Sequence, residues 1–537
     1  MMVVRRSGKP IGQDLSQDLR DRHDAAGTRQ VARGGLANLG GAAYSGVASF
    51  VITALVTRIA STEEAGVYFS ATSILLIAVG LSSFGVPIGF VYFLARYRGM
   101  DQPRRFRGIL LIGGIPMLTL GSVIALGAVL FREPLGRLFF GDAVKDSDSI
   151  IVLISGTLLV AICAESALGA TRGLGVMRPT VVADKFVNPT MQLIALILLA
   201  VIHRTNGSDL IWTRALGFLT VAIIAAPWLF RLMRRKGGAS ILHHDAWGPV
   251  TRAGCIEFWR FTAPRAVGQL AQVGIQRVDI VLLGLWLGPA EAAVYAAATR
   301  FLVFGQLAGH AIGTSVQPRI SMLVAQGRTT QLQDLYRTST AWVMFATWPL
   351  YLTFVVQAGQ LMRVFGPDYA DGEQVLQLLS AAMLVATACG AVDAVLVMAG
   401  RSSWSMANAW ISLSVNIALN VWLIPVLGIT GAALAWTGSI LVSNLLPLVQ
   451  VQIGLAVHPF GRITLYAAIV PLVLFGLIPW IVDYAGGHLV GAFIASLISA
   501  AIYAVLLWRL RHALGLTDLL KGRGERGVKS IFGKTGR

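Results

Sequence analysis

The residues best placed to do chemistry in this chain lie on one predicted helix. Arg265, Gln269, Gln272, Gln276 and Asp279 are spaced by 4, 3, 4 and 3 residues, which sets all five on one helical face. The sequence around them is apolar. A polar face of this length therefore either packs against polar partners inside a helix bundle or lines water. Arg277 lies about 100° round the helix from Gln276. It is two residues from Asp279, so the two charges do not pair locally. A cation at membrane depth costs roughly 2.5–3.5 kcal/mol on insertion scales, and a guanidinium can hold two oxygens of a phosphate at once. Arg277 is the leading candidate for a ligand contact, with Arg300 on the next predicted helix beside it. Asp279 is the candidate for a coupling cation or proton. Glu165 and Asp393, 228 residues apart near equivalent ends of their helices, are further candidates for that role. Pairing with loop arginines is the plainer reading of both.

The elements that must position these residues are set by composition. Of 537 residues, 55% are hydrophobic and only 13% charged, with a mean hydropathy of +0.69. Soluble proteins carry about 25% charged residues, so a soluble enzyme and a disordered chain are both excluded, leaving an all-α, multi-pass membrane protein. Fourteen apolar runs long enough to cross a bilayer lie between residues 36 and 508. The number is even, so both tails share one side. With the tails inside, the inner loops gather cations such as Arg96, Arg98, Arg104, Arg105 and Arg107. The outer loops hold only Arg132, Arg137, Lys145, Arg204 and Arg363, among acids such as Glu63, Glu64, Asp146 and Asp368. This positive-inside pattern places both termini in the cytoplasm. It also explains the net charge of +18 through topology and contact with anionic lipid headgroups, with no need for nucleic acid. Trp212, Trp228, Trp286, Trp404, Trp480 and Trp508 fall near predicted span ends, as interfacial anchors do. Pro87 and Pro318 predict kinks in the second and eighth runs. About 35 mainly polar residues precede the first run, unlike a signal peptide. Cys163, Cys255 and Cys389 suggest neither a disulfide framework nor a metal site.

The two halves repeat. Residues 64–72 (EAGVYFSAT) and 291–299 (EAAVYAAAT) are identical at six of nine positions, at an offset of 227. Within two residues of that offset, Phe140-Gly141 pairs with Phe365-Gly366, Cys163 with Cys389 and Gly99 with Gly327. The offset spans six helices, an even number, so the repeats are parallel and related by an axis along the membrane normal. The expected order is a basic cytoplasmic tail (1–35), an N-lobe of six helices (36–233), a linker with an amphipathic helix on the cytoplasmic face (234–260), a C-lobe of six helices (261–452), two extra helices (453–510) and a second basic tail (511–537). Shifting the polar stripe by 227 lands on Asn38, Ala42, Ser45, Ser49 and Ile52 of the first helix. Two such stripes facing each other would line a central cavity holding Arg265, Arg277, Arg300, Gln269, Gln272, Gln276, Asn38, Ser45 and Ser49.

No loop is long enough for a soluble catalytic domain, and neither a phosphate-binding loop nor an HExxH metal motif is present: Gly533-Lys-Thr535 lacks the upstream glycine. ATP-driven export and ordinary glycosyl transfer are therefore not expected, nor is any enzyme activity. Three segments carry a resemblance. They are residues 57–68 (TRIASTEEAGVY), Asp279 through Leu287-Gly288 to Tyr295, and Asn416 and Asn420 followed by Ile424-Pro425, Gly428 and Gly431-Ala-Ala433. With fourteen spans and parallel halves, the sequence over about residues 34–510 resembles the Wzx-type polysaccharide biosynthesis flippases of the MOP exporter superfamily. Lipid II flippases and the MATE drug antiporters are relatives.

The resemblance implies a V-shaped, two-lobed bundle that alternates between inward and outward openings. It also implies a cationic cavity holding the pyrophosphate of a polyprenyl-linked oligosaccharide, for which Arg265 and Arg277 are the fitting residues. The expected location is the bacterial cytoplasmic membrane. The expected partners are the lipid-linked glycan, membrane lipids, and glycan polymerase or export machinery. No cofactor is expected beyond a coupling cation or proton. Asn38 stands where lipid II flippases tend to be cationic, which points to a glycan other than lipid II. Two alternatives are a MATE-like cation-coupled exporter and, from another class, a membrane-embedded polysaccharide polymerase. The short, acidic outer loops disfavour the polymerase.

Overall fold

The computed structural model describes residues 40–141, 146–203, 205–237, 251–484 and 489–510, together with Asn38 and Val144. Both basic tails and residues 238–250 of the linker lie outside these. Among the described residues every regular element is helical. That is the expected answer to a bilayer, where each backbone donor and acceptor must be satisfied within its own segment.

The N-terminal half runs through α1 (Gly40–Ile59), α2 (Thr62–Ser83), α3 (Val86–Gly99), α4 (Arg105–Leu130), short α5 (Arg132–Phe140) and α6 (Ser147–Gly173). A π-helical stretch, Thr180–Val187, leads directly into α7 (Asn188–Val201), and α8 (Gly207–Gly237) follows. The C-terminal half comprises α9 (Arg252–Trp286), α10 (Pro289–Ala325), α11 (Thr329–Val356), short α12 (Ala358–Met362), α13 (Gly372–Ala388), α14 (Val392–Met398) and α15 (Ser402–Leu455). Last come α16 (Arg462–Pro471), a π-turn at Leu472–Leu477, α17 (Ile478–Tyr484) and α18 (Leu489–Leu510).

Ten of the described helices are long and apolar enough to cross a membrane, or eleven if the bent pair α13–α14 forms one span. The fourteen runs of the sequence do not all reappear as such spans. The eleventh and twelfth share α15, a 54-residue helix joined across the non-helical Gly428 (φ 60°, ψ −137°). The seventh lies on α9, which is more polar than those ten, and the last on α18. The second run breaks at Phe84 (φ 36°) and Gly85 (φ 72°), with Pro87 in the first turn of α3. Pro318 is accommodated inside the uninterrupted α10.

Small residues set the close contacts, as they do where lipid removes the hydrophobic drive between helices. The starts of α2 and α10 meet so tightly that a Cβ on Gly66 would lie 1.7 Å from the Pro289 carbonyl oxygen. The matching run Ala292, Ala293, Ala296, Ala297 and Ala298 of α10 is fully buried. Towards the basic end of the bundle, α3 packs on α9 through aromatic rings. Tyr92 stacks on Phe261 at 4.0 Å, and Phe93 meets Phe258 at 5.4 Å. Arg96 pairs there with Glu257. Residues 252–260, expected to form an amphipathic surface helix, are instead the first turns of α9. Phe258 is fully buried because Phe90 and Phe93 cover it.

Repeat-equivalent positions take the same local form. Phe140 and Phe365 are both buried, and each precedes a glycine at positive φ, Gly141 at 78° and Gly366 at 138°. The aligned segments beginning at Glu64 and Glu291 open α2 and α10 in register. Cys163 and Cys389 do not correspond in environment, one being exposed and the other buried.

Gly66→Ala should destabilise the protein by about 1–3 kcal/mol through overpacking, because the new methyl meets backbone. Gly156→Ala, which has open space around it, should be neutral. Thermal unfolding of both variants in detergent checks this, and equal stabilities would contradict the contact.

Candidate functional site

Two polar centres lie on opposite faces of α9. Arg277 and Asp279 are two residues apart, which on a helix is about 200° of rotation. Arg277 faces the N-terminal half, and Asp279 is buried towards α10 and α15.

On the Arg277 side is a cavity of about 210 Å³. Ser45 and Ser49 of α1 line it, with Tyr68 and Thr72 of α2, Asn188 and Gln192 of α7, Arg214 of α8, Arg277 of α9 and Arg300 of α10. Asp184 also reaches this cavity, but Lys185 already holds its carboxylate, Nζ to Oδ2 at 2.8 Å. Among the described residues no carboxylate pairs with Arg214, Arg277 or Arg300, and the Nε atoms of Arg214 and Arg300 are buried without a hydrogen-bond partner. Half-buried charge without a counter-charge is costly. Three such guanidiniums around one small cavity make a site that an anion would complete, and phosphate oxygens match their donor geometry.

On the other face, Asp279 is 2% exposed. The hydroxyl of Tyr295 donates to its Oδ2 at 2.7 Å. The Nδ2 of Asn420 donates to its Oδ1 at 2.7 Å and to the carbonyl oxygen of Asn416 at 2.9 Å. The Oδ1 of Asn420 and the side-chain amide of Asn416 remain buried without partners. Asn416 and Asn420 stand one turn apart on α15. The chain can bring them here because α15 reverses at Gly428 and packs tightly beyond it: a Cβ on Gly431 would lie 2.3 Å from the Leu423 carbonyl oxygen. A reciprocal amide pair, Asn408 with Gln450 at 2.7 and 2.9 Å, holds the two arms together. A carboxylate with spare amide oxygens is a donor set for a hard cation or a proton.

The sequence-derived set is thus divided. Arg277, Arg300, Ser45 and Ser49 meet at the cavity. Arg265 does not. It lies twelve residues from Arg277, roughly 18 Å along the helix at 1.5 Å per residue. Its side chain is exposed and folded onto Phe261 of its own helix, with the guanidinium 3.7 Å from the ring centre. Gln269, Gln272 and Gln276 are exposed outside the cavity, and so is Asn38. Asp279 belongs to the edge of the stripe that α15 covers, so it departs from the other four. Glu165 is half-buried on α6, away from the cavity lining. Asp393 is exposed in the first turn of α14 and accepts from the Ser405 hydroxyl at 2.6 Å. Tyr68, Gln192 and Arg214 at the cavity, and Tyr295, Asn416 and Asn420 around Asp279, were not among the expected site residues. The repeat held one signal for them: Tyr68 and Tyr295 align, and each serves a polar centre. The four-residue spacing of Asn416 and Asn420 held another.

Comparison with known proteins agrees with this architecture. The polysaccharide biosynthesis protein family matches residues 31–324, more than half of the chain, and the MatE family matches residues 264–422. A probable low-salt glycan biosynthesis flippase of Haloferax volcanii is 24% identical over 170 residues, spanning 32% of this chain and only 36% of that relative's length. The lipid II flippase MurJ, in an inward closed conformation, superposes with a TM-score of 0.66 at 12% identity, over 87% of this chain and 98% of its own. An inward-facing multidrug resistance MATE family transporter of the MOP superfamily gives 0.61 at 12% identity, over 77% of this chain and 94% of its own. These two share the fold. The chain belongs to the polysaccharide biosynthesis protein family, on a fold shared with transporters of the MOP superfamily.

Proposed function

We propose that this protein is a flippase that carries a polyprenyl-diphosphate-linked oligosaccharide from the inner to the outer leaflet of a bacterial cytoplasmic membrane by alternating access between its two halves. The observation that carries this reading is the cavity in which the half-buried Arg214, Arg277 and Arg300 meet and where, among the described residues, none of them is paired with a carboxylate. An export site for cationic drugs needs the opposite charge. The glycan biosynthesis relative supports the substrate class, and the charge asymmetry of the loops supports cytoplasmic termini. Glycan polymerase and export machinery are the partners that such a product would meet.

The cavity also divides the substrate. At about 210 Å³ it is smaller than the roughly 300–1,000 Å³ pockets that take drug-sized ligands. It suits a diphosphate and excludes an oligosaccharide. The exposed face of Arg265, Gln269, Gln272 and Gln276 is polar, and its amides match sugar hydroxyls. In this reading that face takes the glycan, while the polyprenyl chain stays in lipid. Asp279, with Tyr295 and Asn420, holds the coupling cation or proton. The MatE match covers this carboxylate centre, and it favours the second reading, a cation-coupled exporter.

Arg277→Gln should lower translocation of a fluorescent lipid-linked oligosaccharide in proteoliposomes by at least roughly tenfold, equivalent to about 1.4 kcal/mol, with protein yield unchanged. Translocation at the wild-type rate would sink the cavity assignment. In cells, depletion of the protein should leave one lipid-linked glycan accumulated on the inner leaflet. New sensitivity to cationic drugs without that accumulation would transfer the case to the exporter.

Asp279→Asn keeps the shape and an acceptor for the Tyr295 hydroxyl but removes the charge. Translocation by this variant should lose its response to an imposed sodium or proton gradient. A response equal to wild type would remove Asp279 from the coupling step.

A further inference from the structure

Arg214 stands apart from the other two cavity arginines, because it comes from the N-terminal half and its side chain is placed by a relay. Its Nη1 donates to Oε1 of Gln192 at 3.3 Å. The Nε2 of Gln192 in turn donates to Oδ1 of Asn188 at 2.6 Å, so the amide of Gln192 is oriented with its oxygen towards the arginine. Both amides lie flat against Gly217 on α8. A Cβ there would sit 2.3 Å from Asn188 Oδ1 and 2.7 Å from Gln192 Nε2. Phe218, one turn beyond Arg214, lies under the guanidinium at 4.9 Å. The group is therefore held by Gln192 and by a ring, while its Nε is buried and unpartnered at the cavity. Asn188 and Gln192 are themselves 7% and 2% exposed. The Nε of Arg214 and that of Arg300 are buried donors without a protein partner, and both residues line the same cavity.

Resting on the anion reading of the cavity, we propose that Arg214, oriented by Gln192, Asn188 and the bare backbone of Gly217, is the third ligand of the bound anion and selects a diphosphate over a monophosphate. Two guanidiniums from α9 and α10 can satisfy one phosphoryl group. A third, approaching from α8, gives a second phosphoryl group its own partner. Gln192 acts through Arg214 as a positioning residue.

The test is calorimetric titration of the full-length protein in lipid nanodiscs with inorganic pyrophosphate and, separately, inorganic phosphate. The wild type should bind pyrophosphate more tightly than phosphate. Arg214→Gln should weaken pyrophosphate binding by roughly 10- to 100-fold, in line with the loss of a charge-assisted contact, and reduce the preference over phosphate. Gly217→Ala keeps all three arginines yet should weaken pyrophosphate by about tenfold, and should add nothing in the Arg214→Gln background, because both changes remove one contact. Gln192→Leu replaces Gly217→Ala if the latter fails to fold. Wild-type affinity and preference in Arg214→Gln, with binding lost in Arg277→Gln, would overturn the assignment of Arg214 and leave the anion cavity standing. Additive effects of Gly217→Ala and Arg214→Gln would overturn the positioning role. Absence of pyrophosphate binding by the wild type would overturn both this proposal and the anion reading beneath it.

Discussion

A helix buried at membrane depth can carry a cation and an anion only if each finds a different surrounding, and α9 meets that constraint by rotation. Two residues of separation turn Arg277 and Asp279 to opposite faces, so neither neutralises the other. Asp279 is placed against a hydroxyl and an amide that donate to both its oxygens. Arg277 opens on a cavity where it meets two more guanidiniums. The fold completes the Asp279 centre with donors, whereas among the described residues no carboxylate completes the arginine centre. The close approach of α2 to α10 at Gly66, the reversal of α15 at Gly428 and the tight fit of Gln192 against Gly217 are the backbone features that bring the necessary groups to α9.

The internal repeat accounts for much of this economy. Tyr68 and Tyr295 occupy the same place in their halves, nearly two turns into helices that begin in register. Tyr295 donates to the carboxylate. Tyr68 lines the arginine cavity. One local structure has thus been used twice with different chemistry, because the helices facing it differ. Tyr295 bonds to Asp279 of α9, whose other oxygen is held from α15, whereas Tyr68 shares a cavity with Arg214 of α8, Arg277 of α9 and Arg300 of α10. Parallel repeats make this possible, since they present equivalent side chains at equivalent depth.

The helical class was legible in the composition, and the equivalence of the halves in one nine-residue match. Arg277 and Arg300 were legible because a charge in an apolar run is hard to overlook. Ser45 and Ser49 followed from the repeat. The polar stripe of α9 was harder to interpret, for a geometrical reason. Periodicity fixes the angle of a side chain about its own helix, but not which neighbour covers that sector. Gln276 and Asp279 differ by about 60°, and α15 covers one and not the other. Arg265 shares the stripe but sits too far along the axis to reach Arg277. By its place in the chain, Arg214 lies near the start of an apolar segment, where a cation can reach the interface by snorkelling. The relay of Gln192 and Asn188 that turns it inward depends on a glycine one helix away, a relation that spacing along the chain does not encode.

The same arrangement links the two centres mechanically. From Arg252 to Trp286, α9 is one continuous helix, and its internal proline, Pro264, lies thirteen residues before Arg277. No hinge separates Arg277 from Asp279. A rotation that carried Asp279 away from Tyr295 and Asn420 would carry Arg277 through the same angle, away from Arg214 and the cavity. On the proposed reading, a ligand bound at either centre would therefore bias the position of the other, which is the physical content of coupling between two sites. Such coupling would need no chain of intermediate contacts, because one continuous helix carries Arg277 and Asp279 together.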